Sequence, residues 1–147
     1  MKTTLAASAI VLAGMFMMTT NAVSAQEMER TESSEGARAY IISPQDGEVV
    51  GPKVKVKFGL SGMGVAPAGI DMAGTGHHHL LIDQDEMPAM DQPMGGEIIH
   101  FGGGQTETTI SLEPGEHTLQ LVLGDKNHVP HDPVVMSEKI TITVSED

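Results

Sequence analysis

Apolar and polar positions alternate most regularly at Lys53-Val54-Lys55-Val56-Lys57-Phe58-Gly59-Leu60. Successive side chains of a strand point to opposite faces, so Val54, Val56, Phe58 and Leu60 face a core while Lys53, Lys55 and Lys57 face water. Further short β-type segments accompany it: Tyr40-Ile41-Ile42, His77 to Ile82, Ile98 to Phe101, the Thr-rich Gln105 to Leu112, His117 to Leu123 and Met136 to Val144. Turn chemistry separates several of them, at Ser43-Pro44-Gln45-Asp46-Gly47, Gly102-Gly103-Gly104 and Glu113-Pro114-Gly115-Glu116. Ser61 to Gly76, Gln84 to Glu97 and Gly124 to Val135 carry no period and read as loops. No helical period interrupts the series. The pattern predicts an all-β fold, a single immunoglobulin-like antiparallel β-sandwich of about seven strands over residues 39–147.

The start of the chain follows a different rule. Met1-Lys2-Thr3-Thr4 precedes an apolar run from Leu5 to Met18, and Ala22-Val23-Ser24-Ala25 ends the stretch with small residues. This is the layout of a secretory signal peptide over residues 1–25, cleaved after Ala25, and it predicts a periplasmic or secreted product. The run is too short for a membrane span, and no later segment is longer. Residues 26–38 are acidic, polar and aperiodic, which predicts a flexible leader.

Composition narrows the function classes. The formal net charge is −12, from 8 basic and 20 acidic residues, and loss of Lys2 makes it one unit more negative. So acidic a surface argues against nucleic acid and anionic lipid as partners. After the signal only Tyr40, Phe58 and Phe101 are aromatic, too few for a platform that stacks sugars or bases. The chain has no cysteine, so packing alone must stabilise it and no thiolate is available to a metal.

Histidine is the remaining chemistry. Gly76-His77-His78-His79-Leu80-Leu81-Ile82-Asp83 places three imidazoles at the head of a strand, with His100 and the pair His128-Val129-Pro130-His131 further on. In a strand His77 and His79 share a face and His78 points the other way. A His-x-His pair on one face is a two-point chelate. Loops at one end of a sandwich can meet, which would bring His128 or His131 toward His77 and His79, with His100 as an addition. His117 follows a Pro-Gly turn and reads as a structural hydrogen-bonding residue, as does His78. Met87, Met90 and Met94 form a loop trio that could serve as a soft arm for a metal, since thioether and imidazole together favour Cu(I).

Several blocks in order resemble one family. They are Phe58-Gly59-Leu60-Ser61-Gly62-Met63, Gly74-Thr75-Gly76-His77-His78-His79-Leu80-Leu81-Ile82-Asp83, His100-Phe101, Pro114-Gly115-Glu116-His117-Thr118-Leu119, Gly124-Asp125 and His128-Val129-Pro130-His131. Together they resemble the bacterial exported domain of unknown function 4399, from Tyr40 to Val144. The resemblance implies an exported protein and carries no activity with it.

Three functional readings follow. The first is a metal-binding protein, copper preferred and zinc possible, with ligands among His77, His79, His128, His131 and His100. The second is a non-catalytic envelope module that binds a partner protein, its histidines ordering loops. The third is a metalloenzyme, because His77-His78-His79 and Asp83 resemble half of a cupin site. Its second half fails, since Pro114-Gly115-Glu116-His117 is shorter than the cupin spacing. No nucleophile has a recognisable setting, so the chain is not expected to be an enzyme.

Overall fold

The alternation at Lys53–Leu60 becomes the middle strand of a three-stranded sheet in the computed structural model, which describes residues 27–146. The expected signal peptide lies outside those residues. Strands β1 (Arg38–Ser43) and β7 (Glu107–Ser111) flank β3 (Lys53–Ser61), both antiparallel to it. Val54, Val56 and Phe58 are buried and the three lysines exposed, as the pattern requires.

The second sheet has the order β2-β9-β8-β5-β4, with β6 also paired to β5. Its members are β2 (Val49–Val50), β4 (Gly64–Val65), β5 (Thr75–Ile82), β6 (Ile99–His100), β8 (Gly115–Gly124) and β9 (Ile140–Val144). The two sheets form an all-β sandwich. Between them pack Ala39, Val54, Val56 and Phe58 from one side and Leu80, Leu119, Leu121, Leu123, Ile142 and Val144 from the other. Burying these side chains out of water is the main force holding the sheets face to face.

Two features depart from the expected antiparallel, seven-strand plan. The two-residue strands β2 and β4 add to the count, and each pairs in parallel, β2 with β9 and β4 with β5. Strands of two residues have too few positions to show a period, so only long-range pairing defines them. The second feature is burial on both faces of β5 and β8. Leu81 and Val122 point away from the main core into a second apolar cluster with Met94, flanked by Met87, Ile98 and Val134. That cluster is roofed by the loops 83–98 and 125–135.

Residues 28–34, expected to be a flexible leader, have specific partners. Met28 N–H donates to the Asp91 carbonyl, and Ser33 N–H to that of Asp132. The Arg30 guanidinium donates to the Pro130 and His131 carbonyls, Thr31 Oγ1 to Asp125 and Ser33 Oγ to the Pro133 carbonyl. The segment thus straps both roofing loops. Among the described residues no helix is long and apolar enough to cross a membrane.

Candidate metal centre

Strand β5 is where the site is built. Its three histidines are fully buried, and strand geometry divides them between the two faces. His78 shares the inner face with Leu80 and packs on Phe58, ring centroids 5.2 Å apart. His77 and His79 point to the outer face, with Leu81, under the roofing loops. On the neighbouring strand Gly124 stands opposite His77 in the register. A Cβ there would lie 2.4 Å from Cε1 of His79 and 3.0 Å from Cε of Met94, so the missing side chain makes the room these two groups occupy.

The third histidine comes from the loop after β8. Asp125, buried at 2 % exposure, accepts the N–H groups of Asn127 and Val129 at Oδ1 and the hydroxyl of Thr31 at Oδ2. Asp125 N–H donates to the Val129 carbonyl, and His128 N–H donates to the Asp125 carbonyl. This closed loop holds His128 at φ +67°, a left-handed conformation that a Cβ disfavours. Surrounding bonds, not local preference, therefore fix the residue, a pattern associated with functional positions.

The three rings converge. One nitrogen from each of His77, His79 and His128 lies within 4.8 Å of the others. His77 Nε2 and His128 Nδ1 face each other at 3.0 Å. Two ligands at about 2.0–2.1 Å from a tetrahedral ion stand roughly 3.3 Å apart, so small ring rotations would admit a metal between them. His79 Nδ1 sits 3.3 Å from the His77 carbonyl. Donation there puts the proton on Nδ1 and leaves the Nε2 lone pair free, the usual way an outer hydrogen bond sets a ligand's tautomer. Nε2 of His79 and Nδ1 of His77 are buried without a hydrogen-bond partner. A partnerless buried polar atom is costly, and an ion held by the three rings would give His79 Nε2 a partner.

The electrostatics suit a cation ligand. Burial, reinforced by the neighbouring His128 ring, pushes His77 down from 6.5 to about 4. Burial, reinforced by His77 and His128, takes His79 to about 3. Both rings are therefore neutral at pH 7, the form that binds metals.

The other sequence-derived candidates divide clearly. His100, paired with His79 across β5 and β6, is exposed at the rim, its ring centroid 5.1 Å from that of His128 and 6.3 Å from that of His79. Met94 is buried beside His79, and its N–H donates to the His128 carbonyl at 2.8 Å. Met87 flanks the same apolar cluster; Met90 is half-buried and stands outside it. His131, expected with the ligands, lies apart from them. The Gly124–Pro130 bridge returns the chain to the sheet, and the His131 ring packs over Gly76. Its Nε2 donates to the Thr75 carbonyl at 3.2 Å.

The structural histidines behave differently from each other. His117 donates from Nδ1 to Asp83 Oδ2 at 2.7 Å and from Nε2 to the Glu113 carbonyl at 2.8 Å. The Asp83 bond raises its pKa above the usual value. His78 makes no such bond: both its ring nitrogens are partnerless, and it contributes by packing. Gly124 and Asp125 were not expected to shape a site. In the sequence they show as turn chemistry, a Gly-Asp pair at the end of an apolar run, and as one of the blocks of the family resemblance.

Comparison with curated proteins and with solved structures gave no match. The model of one family, described as "Domain of unknown function (DUF4399)", matches residues 56–145, a span holding β5, β8 and all three converging histidines. The chain belongs to this DUF4399 family.

Proposed function

We propose that the protein is an exported, periplasmic metal-binding protein that holds one copper ion between His77, His79 and His128. The observation that carries this reading is the convergence of three ring nitrogens within 4.8 Å, one of them on a residue held left-handed by a buried carboxylate. A set of loop-ordering histidines has no need to bring three ring nitrogens this close together.

The donor set supports copper. It is imidazole only, and imidazole suits copper and zinc, whereas carboxylate and carbonyl oxygens suit calcium and magnesium. Among divalent first-row ions copper binds a given nitrogen site most tightly. Closed structural zinc sites usually have four ligands, often including thiolates, which this chain lacks. Neutral, buried imidazoles at pH 7 need not lose protons before binding. Export is supported by the basic start, apolar run and small residues before Ala25.

The test is titration of the metal-free protein with Cu(I), Cu(II) and Zn(II) against a competing chelator. Tight one-to-one copper binding is expected. Affinity no better than that of an exposed histidine tag for all three ions would overturn the proposal.

A further inference from the structure

We propose that Met94 is a fourth donor, a thioether, to the metal held by His77, His79 and His128, and that it makes the site selective for Cu(I). The inference rests on the three-histidine site and names the oxidation state it serves.

Three observations bring Met94 to the histidine set. It is the buried member of the loop trio, at 6 % exposure, while Met87 and Met90 are only half-buried. Its terminal methyl and the Cε1 edge of His79 both lie within 3.0 Å of one point, the place where a Gly124 side chain would start. Its backbone N–H is bonded to the His128 carbonyl, so the chain positions Met94 from the same residue that supplies the third imidazole. The Nε2 of the same His79 ring is buried and has no protein partner.

The chemistry follows from softness. A thioether is a poor ligand for zinc and a good one for Cu(I), it carries no charge, and it does not titrate. In a chain without cysteine it is the only soft donor available, and it cannot be lost to disulfide formation outside the cell. His100, the other candidate for a fourth position, is exposed on the rim and offers only a further imidazole. Met94 also packs with Leu81 and Val122 in the outer apolar cluster, so the test needs a readout that packing does not move.

The experiment compares wild type with Met94→Leu, a swap that keeps volume and is well tolerated in cores. Cu(I) and Zn(II) affinities of both proteins are measured by chelator competition. X-ray absorption is recorded on the Cu(I)-loaded proteins. The ratio of Cu(I) to Zn(II) affinity should fall by about tenfold or more, the scale on which a lost supporting group changes metal binding. A sulfur atom bonded to copper should be present in wild type and gone in the variant. An unchanged ratio, or no sulfur on copper in wild type, would overturn the role of Met94. Failure of wild type to bind either ion would instead overturn the three-histidine site itself.

Discussion

The absent side chain of Gly124 and the ring of His79 occupy the same space: a Cβ on Gly124 would sit 2.4 Å from Cε1 of His79. The His79 ring must move if Gly124 gains a methyl group. Gly124→Ala should therefore destabilise the protein by about 1–3 kcal/mol, the usual cost of overpacking, and weaken copper binding as well. Paired urea melts and metal titrations check this. Unchanged values in both would mean that His79 has room to spare.

His128 separates stability from function. Its φ of +67° costs energy for any residue with a Cβ and costs glycine little. His128→Gly should keep stability within about 1 kcal/mol of wild type, strain relief offsetting lost contacts, while metal affinity collapses. Thermal melting of the metal-free variant and a copper titration give the two readouts.

Asp125 holds the loop that carries His128. Its carboxylate accepts the Asn127 and Val129 N–H groups and the Thr31 hydroxyl in a buried setting. Asp125→Ala leaves those donors without an acceptor, at about 1–3 kcal/mol. It should also loosen the His128 loop and lower copper affinity without touching a ligand atom. Denaturant melts report the first effect and titration the second.

The histidines set two opposing pH dependences in the metal-free protein. His77, His78 and His79 have folded values of about 4, 4 and 3 against 6.5 unfolded, burial being the main cause for each. The unfolded chain binds more protons, so their neutral burial is fully accommodated above about 6.5. Stability should then fall steadily as pH drops from there toward about 4. His117 runs the other way, because its hydrogen bond to Asp83 raises its folded value. Its contribution is complete below the unfolded value and is lost as pH rises through the folded one. Urea melts across pH 5 to 9 should show wild type losing stability on the acid side. The stability difference between wild type and His117→Ala should shrink on the alkaline side.

Much of this arrangement was legible in the chain. Alternation separated the buried Val54, Val56 and Phe58 from the exposed Lys53, Lys55 and Lys57, and period two put His77 and His79 together with His78 opposite. The pairing of His77 and His79 with His128 was within reach of architecture, but the choice between His128 and His131 was not. Three residues of separation say nothing about which side of a loop each ring takes. That depended on the left-handed turn at His128 and on the bridge from Gly124 to Pro130. The strap at residues 28–34 was hidden for a similar reason. Its acidic composition suggests freedom, while its order depends on distant acceptors such as Asp125 and the Pro133 carbonyl. Burial of Leu81 and Val122 on the outer face was hinted at by the unbroken apolar stretches around them, which central strands covered on both faces require.

Whether one ion sits between rings from β5 and from the loop after β8 is decided by a copper titration of wild type beside the double variant His77→Ala/His79→Ala, with stability recorded for both. Tight one-to-one binding in wild type and its loss in a folded double variant is the predicted result. Full copper affinity in the double variant would mean that the ion is held elsewhere or not at all by this histidine set.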